Sequence, residues 1–153
     1  DCFFCIGTTR KNTPDKNEYI RTEYNIPVEI GKIAKSNSVN NFIYVSSLGA
    51  NPNASGLYLK NKGQAEQDLI NLNFPRLAII RPSILLGNRK ENRIGEKIGI
   101  FVMKLLLPLF LGKLKKYKPI KVENVAKAMV NIAQNDYQKT IFESDQLVKI
   151  AKF

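Results

Sequence analysis

NFIYVS (41–46) runs directly into Ser47-Leu48-Gly49-Ala50, and RLAIIR (76–81) runs directly into Pro82-Ser83. Both segments are short, rich in β-branched and aromatic residues, and apolar on consecutive positions. That composition suits strands buried on both faces of a parallel sheet. A third run, CFFCI (2–6), stops at Gly7-Thr8-Thr9 in the same way. Between and beyond these strands lie segments with helical spacing. Residues 18–35 carry Tyr19, Ile26, Ile30, Ile33 and Ala34, with Pro27 marking a kink. Residues 57–73, 94–108 and 122–135 read as further helices, and 140–143 and 144–151 as a last strand and helix. Strands alternating with helices predict an α/β fold with a parallel sheet covered on both faces. Ligands in such sheets sit at the carboxyl ends of the strands. Those ends are Gly7-Thr8-Thr9, Ser46-Ser47 and Pro82-Ser83.

The chain has 153 residues, about one domain's worth, and 44% of them are hydrophobic, enough for a real core. It contains no His and no Trp. The missing His excludes Ser-His-Asp and Cys-His nucleophile systems, imidazole metal sites and a His general base. Proton transfer is left to Tyr, Lys, Asp, Glu or Cys. Two cysteines are too few for a disulfide-stapled scaffold. Cys2 and Cys5 fall in one predicted strand, on opposite faces and about 10 Å apart at ~3.3 Å per residue, so they are expected to be buried structural thiols that form neither a disulfide nor a zinc site. The sequence opens at Asp1, without Met and inside an apolar run, which reads as part of a longer protein.

The net charge is +11. Most of the excess lies between residues 89 and 121 and ends in GKLKKYKPIK (112–121). A solvated Lys-rich surface explains it, since no Arg-aromatic pattern of a nucleic-acid module is present. IGIFVMKLLLPLFL (98–111) is shorter than the ~20 apolar residues that span a bilayer. It also carries Lys104 and Pro108, and reads as a buried helix or a cover over a site. With no signal peptide in view, cytoplasmic localisation is the default expectation.

Tyr58 and Lys62 stand four residues apart, on one face of the predicted 57–73 helix with Cβ atoms about 5–6 Å apart. A cation ~4 Å from a phenol in an effective dielectric of ~20 contributes about 4 kcal/mol. At about 1.4 kcal/mol per pKa unit this brings a phenol from ~10 towards neutrality. A bare Tyr-x-x-x-Lys pair is weak evidence in a Lys-rich chain, and Tyr117 with Lys121 forms another, interrupted by Pro119. The first pair differs in continuing a stripe through Ala65, Leu69 and Leu72. It also follows Ser47, whose hydroxyl at a strand end can reach the oxygen that Tyr58 protonates.

These stretches together, FIYVSSLGA (42–50), YLKNKG (58–63) and RPSILLG (81–87), resemble the extended or atypical short-chain dehydrogenases. The likeness is greatest to the subgroup typified by the mammalian Tat-interacting oxidoreductase-like proteins and their bacterial relatives. CFFCIGTTR (2–10) is similar to that subgroup's fourth strand and following loop, and RKENRIGE (89–96) fits its pattern. The resemblance covers nearly the whole chain. It implies that residues 1–153 are the carboxyl-terminal two-thirds of one NAD(P)-binding Rossmann-type domain. It implies an oxidoreductase or epimerase-like protein acting on a carbonyl or alcohol substrate. Ser47 then orients the substrate oxygen, Tyr58 exchanges its proton, and Lys62 holds the nicotinamide ribose and lowers the phenol pKa. Gly7, Thr8 and Thr9 lie against the adenosine side of NAD or NADP. Ser46, Tyr58, Lys62, Pro82, Ser83 and Leu85 complete the cofactor set.

Three departures stand beside the resemblance. The Gly-rich phosphate loop is absent, and with it the residue that chooses NAD or NADP. Ser83 replaces a frequent Gly, narrowing the nicotinamide end. Ser46 and Ser47 are adjacent, so in an extended strand only one of them should face the site. No metal, nucleic-acid partner or membrane span is expected. The substrate is an undefined small molecule, with protein partners or a homo-oligomer left open. Two alternatives remain: a non-catalytic dinucleotide-binding regulator of the same fold, and a basic nucleic-acid or membrane-surface module using residues 112–121.

Overall fold

The computed structural model describes residues 1–87 and 112–153. The expected helix at 94–108 and the 89–96 pattern lie outside the described residues. Four parallel strands form the main sheet in the order β1-β2-β3-β6: β1 is Cys2–Phe4, β2 Asn41–Val45, β3 Arg76–Arg81 and β6 Ile141–Glu143. The register places Phe4 beside Tyr44, Val45 beside Ile80, and Ile80 beside Phe142.

Because side chains alternate along a strand, consecutive apolar residues feed two cores. On one face Phe4, Phe42, Tyr44 and Ile79 pack with Val28 and Ala34 of α2 (Ile26–Ser36) and with Ala65 and Leu69 of α3 (Leu57–Asn71). On the other, Ile43, Ala78, Ile80 and Phe142 pack with Val125, Met129 and Ile132 of α4 (Val122–Gln134) and Leu147 of α5 (Ser144–Ile150). The doubly covered α/β sheet is therefore present as expected.

The helix expected at 18–35 begins earlier, as α1 (Lys16–Ile20), because the Asp15 carboxylate caps it by accepting the Glu18 N–H at 2.8 Å. It is then interrupted by a π-helical turn, Arg21–Asn25, before α2. Pro27 has no N–H to give, and the Ile26 N–H reaches back to the Arg21 carbonyl, five residues away. The irregularity attributed to Pro27 thus lies in the turn that precedes it. Two elements escaped the sequence reading: a 3-10 helix, Gly112–Tyr117, and a two-stranded parallel pair of β4 (Leu85–Leu86) with β5 (Ile120–Lys121). Two-residue strands are too short to show a period. Among the described residues, no helix is long and apolar enough to cross a membrane.

β1 ends at Phe4, two residues before the predicted end. Cys5 is consequently exposed at the sheet's carboxyl edge, and Cys2 is half-buried, so the two are not the buried thiols expected. Both remain free, and desolvation raises both thiol pKa values.

Candidate active site

The carboxyl ends of β1, β2 and β3 open onto one cleft of about 620 Å³. Its lining includes every residue singled out in the sequence: Gly7, Thr8 and Thr9 from the loop after β1, Ser46 and Ser47 after β2, Tyr58 and Lys62 on α3, and Pro82, Ser83 and Leu85 after β3. Main-chain bonds set this arrangement. The Ser46 N–H donates to the Ile80 carbonyl at 2.8 Å and the Leu48 N–H to the Pro82 carbonyl at 2.9 Å, which ties the end of β2 to the end of β3.

Beyond Ser47 the chain turns at Gly49, whose φ of +86° strains any residue with a Cβ. It then runs back over α3 at Gly63. A Cβ there would lie 2.2 Å from the Asn51 carbonyl carbon and 2.3 Å from the Pro52 nitrogen, so only glycine lets the loop backbone rest on the helix. The Asn51 N–H donates to the Leu59 carbonyl at 3.1 Å and fastens the loop to the first turn of α3, which carries Tyr58.

Ser46 and Ser47, the two residues after β2, take different partners. Ser46 is buried, and its hydroxyl donates to Oε1 of Glu66. Glu66 is also held by Arg81, whose Nε donates to Oε1 at 2.9 Å and whose Nη2 donates to Oε2. Ser46 therefore belongs to a buried Ser46–Glu66–Arg81 cluster joining β2, α3 and β3. Ser47 faces Tyr58. The Ser83 hydroxyl is likewise engaged, donating to the Lys118 carbonyl and lying 3.0 Å from the Ser144 hydroxyl. It braces the β3 end against α5 while Ser83 remains part of the cleft lining.

Tyr58 is 40% exposed at the cleft, and Lys62 beneath it is 4% exposed. The Lys62 ammonium lies 3.0 Å from Oε2 of Glu23, donates to the Val45 carbonyl at 3.3 Å and sits 5.0 Å from the centre of the Tyr44 ring. Glu23 is 1% exposed, and its Oε1 accepts the Thr8 N–H. The Lys62 charge is thus met by a carboxylate. The Tyr58 phenol is not lowered as the pair's spacing suggested but raised above its ordinary value, chiefly by desolvation. The facing Ser47 hydroxyl pulls it down, and the Glu23 charge pushes it up.

Glu23, Glu66 and Arg81 were not singled out in the sequence. Glu23 follows buried Tyr19 by four residues, and Glu66 follows Lys62 by four, so each lies on its helix's inward stripe. A carboxylate on a buried stripe was the available signal. Tyr24 secures the π turn that presents Glu23, donating from its hydroxyl to Asp68 of α3 at 2.7 Å.

The lining fits a nicotinamide dinucleotide in chemical type. The lining combines polar Thr8, Thr9, Arg10 and Asn12 from the chain after β1 with apolar Val45, Pro82, Ile84 and Leu85 from the ends of β2 and β3. Gly7 keeps its loop free of a side chain beside Glu23, where a Cβ would come 3.3 Å from Oε1. Among the described residues, no group of three or more His, Cys, Asp or Glu is placed to hold a metal ion. In the basic 112–121 stretch, Lys116 pairs with Glu143 at 3.1 Å.

No family model matches the chain. It is 38% identical over 160 residues to a mitochondrial protein FMP52-1 of Scheffersomyces stipitis, covering 98% of this chain and 69% of that protein. It is 31% identical to the mitochondrial FMP52 of Eremothecium gossypii, covering 99% of this chain and 70% of that one. Against the rat protein HTATIP2 it is 30% identical, covering 98% of this chain and 61% of the relative. The chain spans 58% of the FMP52 of Debaryomyces hansenii. The relatives' names overturn the cytoplasmic expectation, since FMP52 proteins of several yeasts are designated mitochondrial. Core-forming residues do not encode a cellular address, which targeting segments carry separately.

Proposed function

The chain belongs to the FMP52 family, and on that premise we propose that it is the catalytic part of an NAD(P)-dependent oxidoreductase or epimerase-like protein. Its substrate is a small carbonyl or alcohol, and the protein works in mitochondria. In this reading residues 1–153 form the carboxyl-terminal two-thirds of one dinucleotide-binding domain of the short-chain dehydrogenase type. The observation that carries the proposal is the convergence of Ser47, Tyr58 and Lys62 on the cleft shared with Gly7–Thr9 and Pro82–Leu85.

Thr8, Thr9 and Arg10 hold the adenosine side of the dinucleotide, and Pro82, Ser83 and Leu85 flank its nicotinamide, with Ser46 contributing main chain. A bound nicotinamide would supply or accept the hydride. Ser47 donates a hydrogen bond to the substrate oxygen and fixes it beside Tyr58. The Tyr58 phenol gives its proton to that oxygen during reduction and takes it back during oxidation. Lys62, anchored by the Val45 carbonyl and Glu23, stabilises the phenolate that forms and binds the ribose.

NADPH or NADH oxidation by the intact protein, screened against a panel of aldehydes and ketones, tests the reading. Turnover that Tyr58→Phe abolishes while dinucleotide binding persists supports it, and turnover unchanged by that substitution refutes it.

One observation favours the second reading, a dinucleotide-binding regulator without turnover: the Lys62 ammonium that would stabilise a Tyr58 phenolate is paired with Glu23 at 3.0 Å. Saturable dinucleotide binding with no turnover across the panel supports that reading.

A further inference from the structure

Glu23 lies outside the Ser47–Tyr58–Lys62 set, yet it touches both halves of the cleft. Its Oε1 accepts the main-chain N–H of Thr8, in the loop assigned to the dinucleotide's adenosine side, and its Oε2 lies 3.0 Å from Lys62 Nζ. The ion pair is shielded from solvent, the two side chains being 1% and 5% exposed. A buried pair of this kind acts through a low local dielectric and fixes both partners. Its position is held from outside by the π turn before Pro27 and by the Tyr24–Asp68 hydrogen bond.

We propose that Glu23 is a positioning residue that locks Lys62 to the cofactor-side loop and sets the pH at which Tyr58 ionises. The proposal rests on Tyr58 being the proton-transfer group of the cleft. The Glu23 carboxylate balances the Lys62 charge, so the phenol one turn earlier on α3 is left without an uncompensated cation beside it. Weakening the pair, by neutralising Glu23 or by drawing Lys62 onto a bound ligand, frees the ammonium to stabilise the phenolate. Since the same carboxylate grips Thr8, filling the loop and releasing Lys62 are mechanically linked.

Among the described residues, the titratable groups facing Glu23 are few. They are Lys62 and Tyr58 on α3, Tyr44 on β2 and Tyr19 on its own helix, where Arg10 of the loop after β1 stacks on the Tyr19 ring at 5.2 Å. Glu66 on α3 acts on Tyr44 from the far side. Among the described residues Lys62 is the cation in direct contact with Glu23, so the sign of Tyr58's response is set by the Glu23–Lys62 balance.

Nitration of the intact, dinucleotide-free protein by tetranitromethane at mildly alkaline pH reads the phenolate directly, and peptide mass spectrometry resolves each tyrosine. Glu23→Gln keeps an acceptor for the Thr8 N–H but removes the charge. It is expected to raise the Tyr58 nitration rate by about tenfold, equivalent to one pH unit of ionisation. Lys62→Met is expected to lower the rate, because Glu23 is then unopposed, and the double variant to return it towards wild type. Exposed Tyr117 is the internal control.

General loosening of the structure would raise the rate in both single variants and open buried Tyr19 and Tyr44 to reagent. That pattern, or a Tyr58 rate unmoved by either substitution, overturns the proposal. Should Glu23→Gln fail to fold, the sign of the Lys62→Met change alone decides. The assay needs neither cofactor nor turnover. A shifted Tyr58 in a protein without turnover therefore sinks only the enzymatic reading, and turnover with an unshifted Tyr58 sinks only this one.

Discussion

Replacing Gly63 by Ala sets helix propensity against packing, because the two act with opposite signs. In a helix interior Ala is more favourable than Gly by about 1 kcal/mol. At this position, however, the new Cβ would stand 2.2 Å from the carbonyl carbon of Asn51 and 2.3 Å from the nitrogen of Pro52. Both are main-chain atoms, so no rotamer change relieves them. Reaching an ordinary contact of 3.4 Å requires the loop to move out by about 1.2 Å (3.4 − 2.2). Overpacking costs about 1–3 kcal/mol, and a clash with main-chain atoms takes the upper end, about 3 kcal/mol. Displacing Asn51 also weakens its bond to the Leu59 carbonyl, worth ~1 kcal/mol. Less the propensity gain of about 1 kcal/mol, the net loss is about 3 kcal/mol. For a chain of this size that lowers Tm by about 6–12 °C. Thermal unfolding followed by circular dichroism reads it. A Gly63→Ala protein as stable as wild type, or more stable, refutes the packing argument.

Three further outcomes follow from the same geometry. Gly31→Ala comes close only to the ends of Leu69 and Leu72, at 2.5 and 3.0 Å, with Phe42 Cζ in ordinary contact at 3.9 Å. These flexible methyls can yield, so the urea midpoint should correspond to a loss of about 1 kcal/mol, well below Gly63→Ala; an equal loss contradicts the distinction. Arg81→Met leaves the buried Glu66 carboxylate with Ser46 but no cation. Breaking a buried pair costs about 3–5 kcal/mol, and the partial exposure of Arg81 favours the lower end, read by urea unfolding, so a neutral result contradicts the cluster's role. The Tyr19 phenol is pushed up to about 12 by desolvation and the neighbouring Glu23 charge. Below about pH 10 both folded and unfolded chains keep this proton. Between about 10 and 12 the unfolded chain ionises first, so stability falls by about 1.4 kcal/mol per pH unit. Tyr19→Phe should flatten that alkaline slope in urea titrations, and an unchanged slope rules the cause out.

The sheet was legible because its three longer apolar runs, at 2–6, 41–46 and 76–81, each end in small or polar residues. The site followed from the same feature, since the residues after those strands necessarily share one edge. What escaped the sequence depends on long-range contacts. Glu23 looks like one more charge in a polar segment until the π turn before Pro27 directs it at Lys62. The electrostatics of Tyr58 were misjudged for the same reason, because an i, i+4 pair shows the cation but not the carboxylate that balances it. Cys5 illustrates a smaller error. Its apolar neighbours extend the run, but pairing with β2 stops at Phe4 and leaves the thiol at the cleft rim. Ser46 and Ser47 both follow the end of β2, so strand alternation alone did not separate them. Which one turned inward was decided by Glu66, which accepts the Ser46 hydroxyl.

Equilibrium titration of the intact protein with NADPH and NADH tests the central claim most directly. Saturable binding of at least one dinucleotide is expected, retained by Tyr58→Phe and lost when Gly7→Val fills the loop beside Glu23. Failure to bind either dinucleotide, or binding indifferent to Gly7→Val, contradicts the assignment of this cleft.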